Sequence, residues 1–105
     1  MTVIHWSGPA IREFEGALDY IARDNRDAAD RLARAIHRAV GRLRAFPDSG
    51  RMVPELEDPT LRQVVHSPFR VIYQRQETLV EILAVVRAEQ DTDFEGIQVR
   101  AKKQN

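Results

Sequence analysis

The chain has 105 residues, 43% apolar and 30% charged, which suits one hydrophobic core with a solvated surface and leaves no room for a second domain. Its 16 basic and 16 acidic residues cancel, whereas a protein that settles on a nucleic-acid backbone usually carries a basic excess. Cysteine is absent, which excludes disulfides, thiolate metal sites and a cysteine nucleophile. His5, His37 and His66 lack ligand spacing, so no metal or other cofactor is expected.

No apolar run approaches the roughly 20 residues that cross a bilayer, and the N-terminus lacks the basic-then-apolar layout of a secretory signal. The expectation is a cytoplasmic protein with no membrane partner. At the start, "TVIHWS" alternates as a short strand, with Val3 and His5 on one face and Ile4 and Trp6 on the other. Ser7 then supplies an N-cap and Pro9 sits in the first turn of a helix. Ile11, Phe14, Leu18 and Ile21 draw an apolar stripe along that helix, which ends near Asp24.

Asn25 is placed both to end this helix and to cap the next. The second stripe is Ala29, Leu32, Ile36, Ala39, Val40 and Leu43, running to about Phe46. So short a turn makes the two helices an antiparallel hairpin. The same segment is strongly basic: Arg31, Arg34, Arg38, Arg42, Arg44 and Arg51 face only Asp48. Pro47 and Gly50 in "FPDSGR" stop the second helix.

From there the period changes to 2. "LRQVVH", "FRVIYQR" and "TLVEILAVVR" are three strands joined by connections short enough only for an antiparallel meander. In the last of them Val80, Ile82, Ala84 and Val86 are expected to form one continuous apolar face under the helical hairpin. The whole reads as α+β, β-α-α-β-β-β, a helical hairpin on a small, mainly antiparallel sheet. Residues 1–95 form the domain, and 96–105 form a polar tail that frays or docks on a partner.

Arg70 stands second in a strand that is otherwise apolar. If Phe69, Val71 and Tyr73 face the helices, Arg70 lies on the open face; if Ile72 faces them, Arg70 is paired at the edge of the core. Arg62 and Arg87 on the neighbouring strands are expected near it, together with Arg51, as an exposed anion-binding patch. Glu55 and Glu81 are the carboxylates available to neutralise it.

The ordered set "DYIARDNRDAADRLARAI", "LRAFPDSGRMVPEL", "LRQVV" and "PFRVIYQ…LVEILAVVR" resembles the ParE/RelE superfamily of bacterial type II toxins, in its ParE branch. The resemblance spans about residues 3 to 91, and "FP-x-x-GR" and "FRVIY" carry most of it. It implies a toxin of the plasmid-stabilisation kind, neutralised by a ParD-like antitoxin whose disordered tail folds on the toxin, with operator DNA reached only through the antitoxin. For the ParE branch the implied target is DNA gyrase, inhibited by binding. For the RelE branch it is ribosome-bound mRNA, cut by acid-base chemistry with basic groups on the phosphate.

Neutral net charge, and Arg87 where a proton-transfer group often ends the last strand, favour binding over catalysis, since arginine stays protonated. Arg51, Arg62, Arg70, Arg87, Arg34 and Arg38 are then the expected contacts to target and antitoxin. Were the chain a nuclease, Arg62, His66, Arg70, Tyr73 and Arg87 would be the catalytic set. A third reading is a non-toxic relative kept as a co-repressor with its antitoxin.

Overall fold

A computed structural model describes residues 2–103. The elements follow the chain as β1 (Val3–Trp6), α1 (Gly8–Ala22), α2 (Arg26–Gly41), a 3-10 turn (Arg42–Arg44), β2 (Arg51–Met52), β3 (Leu61–His66), β4 (Phe69–Arg75), β5 (Leu79–Arg87) and α3 (Phe94–Lys103). The strands make one five-stranded sheet in the order β1-β5-β4-β3-β2. The meander β3-β4-β5 is antiparallel as expected, and β1 lies parallel to β5 at one edge. The opposite edge is β2, a two-residue strand that the sequence pattern did not announce.

Capping explains where the helices begin. The Ser7 hydroxyl accepts from Ala10 N at 3.2 Å, and the Asn25 side-chain oxygen accepts from Ala28 N at 3.0 Å. Asn25 also donates its own N–H to the carbonyl of Ile21, so one residue closes α1 and opens α2. Phe14, Leu18 and Ile21 of the expected α1 stripe pack on the core, and only its first member, Ile11, does not. At the helix start Ala10 is the fully buried residue, and Ile11 beside it is 42% exposed. The α2 stripe is as expected through Leu43, but the helix ends at Gly41 and the chain tightens into the 3-10 turn, which carries Phe46 out to solvent.

The sheet has two covered faces. Phe69, Val71 and Tyr73 join Val80, Ile82 and Val85 against Phe14, Ile36, Val40 and Leu43 of the hairpin. Ile72, Leu83, Ala84 and Val86 face the other way, against Val53, Leu56 and the α3 residues Ile97 and Ala101. The expected continuous face on β5 is therefore corrected. Ile72 pairs with Ala84 and Tyr73 with Ile82, so Leu83 is an extra residue in β5. This bulge flips the alternation, sending Val80 and Ile82 to the hairpin but Ala84 and Val86 to α3.

The expected tail is corrected too. Residues 96–103 continue α3, which begins before them at Phe94 and buries Ile97 and Ala101; residues 104–105 of that tail lie outside the described residues. Arg100 fixes this helix, bonding Glu13 of α1 through both guanidinium ends at 3.2 and 3.0 Å and the Leu83 carbonyl at 3.0 Å. Glu13 in turn accepts from Val85 N at 3.0 Å. Beyond Trp6, where β1 stops pairing, these two side chains satisfy the bared edge of β5.

Candidate partner-binding surfaces

Arg70 is on the α3 face, and that face is not open. Its guanidinium grips Glu55 at 2.9 and 3.1 Å, donates from Nε to the Gln63 side-chain oxygen at 2.6 Å, and lies 5.4 Å from the centroid of the Phe94 ring. Only 9% of the residue is exposed. The hydrogen bonds from Arg70 hold the Glu55 carboxyl below its ordinary 4.5, against a smaller upward push from burial. A bidentate, stacked guanidinium of this kind pins the 53–56 loop and the start of α3 onto the sheet.

Tyr73 and Arg62 are on the other face, turned toward the hairpin. The Tyr73 hydroxyl donates to the Pro47 carbonyl at 2.8 Å and accepts from Gly50 N at 3.0 Å, deep enough that burial pushes the phenol above its ordinary 10. A Cβ at position 50 would fall 2.5 Å from that hydroxyl and 2.8 Å from the Gln63 carbonyl, so only glycine admits this approach. Arg62 spends its guanidinium on the carbonyls of Pro59 and Gly50, both at 3.2 Å. The turn "FPDSGR" and the strand "FRVIY" are thus one packed unit.

Arg87 pairs with Phe69 at the far end of the meander, whereas Arg62 pairs with Tyr73, four residues or about 13 Å along β4. The expected convergence of Arg51, Arg62, Arg70 and Arg87 is therefore corrected: two are consumed inside the fold, on opposite faces of the sheet, and the exposed pair is divided between its edges and ends. Arg87 stands at the rim of a cavity of about 650 Å³ between α1 and β5, floored by Ile21, Phe69 and Val85 and flanked by Tyr20 and Asp24. His66 pairs with Phe69 at the turn beside it, and its side chain makes no hydrogen bond among the described residues.

The second hollow, about 610 Å³, lies between the end of α2 and the β2-β3 edge. Its lining mixes the apolar Ala39, Phe46, Val64 and Val65 with the polar Ser49 and Gln63, and its only charged lining groups are Arg42 and Arg51. Phe46 and Val65 are 65% and 51% exposed, Met52 stands exposed on the adjoining strand, and β2 pairs on one side only. These apolar residues escaped the sequence reading; the one trace of them is that Phe46 falls past the last turn of the α2 stripe. Upstream, Arg31, Arg34 and Arg38 are exposed along the outer side of α2 with no ion pair among the described residues.

The family model for the ParE toxin of the type II toxin-antitoxin system parDE matches residues 4–92. The chain belongs to the ParE toxin family. Among solved structures, one described as the chromosomal ParDE TA system from P. aeruginosa matches with a TM-score of 0.69 at 22% identity, over 85% of this chain and 98% of that one. That likeness carries the fold, which is α+β and ParE/RelE-like. No curated protein sequence matches the chain.

Within this ParE-family fold the five groups expected of a nuclease are scattered. Arg70 is neutralised by Glu55 on one face; Tyr73 is sealed on the other with its hydroxyl fully engaged; Arg62 is held on backbone carbonyls; His66 and Arg87 stand at the opposite end. Cutting a phosphodiester requires a proton-transfer group and a cation within reach of the same phosphate. Among the described residues, three or more potential metal ligands gather nowhere, and no helix is long and apolar enough to cross a membrane.

Proposed function

We propose that this ParE-family chain is a toxin that acts by binding, with DNA gyrase as its target in the cytoplasm, and that a ParD-like antitoxin neutralises it. The observation that carries the reading is the dispersal of Arg62, His66, Arg70, Tyr73 and Arg87, which leaves no assembled acid-base and phosphate-gripping set. Membership of the ParE branch supports it. The hollow beside β2 suits an acidic, partly apolar, extended partner segment, since it combines apolar side chains, two arginines with no ion pair among the described residues and a strand edge paired on one side only. Arg51 and Arg42 are its charged contacts and Phe46, Met52 and Val65 its apolar anchors. Arg87, beside the cavity under Tyr20, is a second exposed contact.

The test pairs two assays on the antitoxin-free protein. In one it is titrated into gyrase supercoiling, and in the other into ribosomes translating an mRNA. Lost supercoiling or trapped cleavage complexes with intact mRNA is the expected result. Codon-positioned mRNA cuts with unaffected gyrase would overturn the proposal. For the antitoxin surface, Phe46→Asp should weaken antitoxin binding by at least tenfold while leaving the melting temperature close to that of the parent, because Phe46 is largely exposed in the free protein.

A further inference from the structure

Arg31, Arg34, Arg38 and Arg42 recur on α2 and its 3-10 extension at steps of three, four and four. Such steps place them in one row, opposite the buried row Ala29, Ile36, Val40 and Leu43, over a length of about 17 Å. All four are exposed and none has an ion pair among the described residues. The nearest acids along the chain, Asp27 and Asp30, lie one turn before Arg31 and Arg34 and form no ion pair with them among the described residues. Arg38 has only Arg34 and Arg42 at its charged i±4 positions, and like charges at that spacing work against the helix. The helix dipole favours a cation in the last turn, which accounts for Arg38 and Arg42 but not for Arg31 and Arg34.

We infer that this row is a docking track for the phosphate backbone of duplex DNA, contacted directly by the toxin. One observation favours a polyanion of phosphates over an acidic protein segment: no large apolar side chain is exposed between Arg23 and Ala45, so Arg31, Arg34 and Arg38 offer a protein partner no anchor, and only Arg42, at the row's end, also lines the hollow beside Phe46. Each of the four is an arginine, whose planar fork matches a phosphate with two hydrogen bonds as it does a carboxylate. The neutral total charge conceals this track because the acids lie elsewhere, notably Glu89, Asp91, Asp93 and Glu95 ahead of and at the start of α3. The inference does not rest on gyrase being the target.

The test measures binding of the full chain to a fluorescent 20-base-pair DNA duplex as salt is varied. Four phosphate contacts predict a log-log salt slope of about −3.6, or roughly a 150-fold loss of affinity between 50 and 200 mM salt. The Arg34→Gln/Arg38→Gln variant should halve that slope and bind more weakly at 50 mM, with melting no lower than the parent. An equal change of charge elsewhere, Arg12→Gln on α1 with Arg23→Gln just past its end, should keep the parent slope. No binding at 50 mM salt would overturn the inference, as would a slope that falls equally in both variants. A polyglutamate peptide that binds the parent more tightly than the duplex and is lost in the α2 variant would assign the row to an acidic protein instead.

Discussion

The two faces of the sheet are built by different chemistry. The hairpin face is a packed apolar layer in which Ile36 and Leu43 are 1% exposed and the buried Tyr73 hydroxyl has both a donor and an acceptor. The α3 face has a smaller apolar centre, ringed by ionic and amide groups: Arg70 with Glu55 and Gln63, Arg100 with Glu13. An apolar layer tolerates volume-conserving changes of side chain, whereas a guanidinium clamp requires each partner in place. The comparison predicts that the hairpin face sets global stability and the α3 face sets local order.

The largest expected effect is Ile36→Asp, which places an unpaired charge in the hairpin core and should cost about 4 kcal/mol or more, enough to unfold so small a domain. Urea titration followed by circular dichroism measures it; a parent-like midpoint would remove Ile36 from the core. Ile97→Asp on α3 should cost less, about 2 kcal/mol, because a terminal helix can detach while the sheet and hairpin persist. Hydrogen exchange should then show α3 amides losing protection ahead of those of β4; equal loss in both would erase the distinction between the faces.

Arg70→Ala comes next, at about 2 kcal/mol, since it strips Glu55 and Gln63 of their partner and empties the space the side chain fills, while Arg70→Met should recover only the packing part, because Glu55 and Gln63 stay without their donor. Equal melting temperatures for Met and Ala would show that volume is irrelevant there. The smallest effect is in pH. Glu55 has its folded value below the ordinary 4.5, so the stability it contributes is present above that value and is lost as pH falls through the folded one. Because its side chain is 41% exposed, the gain is screened, and the parent should lose stability only slightly more steeply than Arg70→Met below about pH 4.5.

Much of the hairpin face was legible in the sequence because its information is periodic and local: the Asn25 hinge, the α2 stripe and the meander follow from spacing and caps. What escaped depends on contacts far apart in the chain. Arg70 meets Glu55 and Phe94, residues whose placement no local pattern reveals, so it was expected on an exposed patch and is instead a clamp. The β5 bulge was invisible because Val80 to Val86 is apolar on both alternations apart from Glu81, and a phase flip inside such a run leaves no trace. For α3 the signal was thin: Ile97 and Ala101 are four apart, but a single buried pair amid charged neighbours resembles a solvated tail. The candidate groove shares this history, since Phe46 and Val65 come together only through folding.

The tie between the Tyr73 hydroxyl and Gly50 has a consequence for recombination among relatives. A glycine without the phenol leaves a turn unheld, and a phenol without the glycine has no space, so the two positions constitute one heritable unit. Chimeric toxins assembled with a crossover between residues 50 and 73 should inherit mismatched halves wherever the parents differ at either position. Crossovers placed before Pro47 or after Arg75 keep the unit whole, and libraries built that way should retain more folded members.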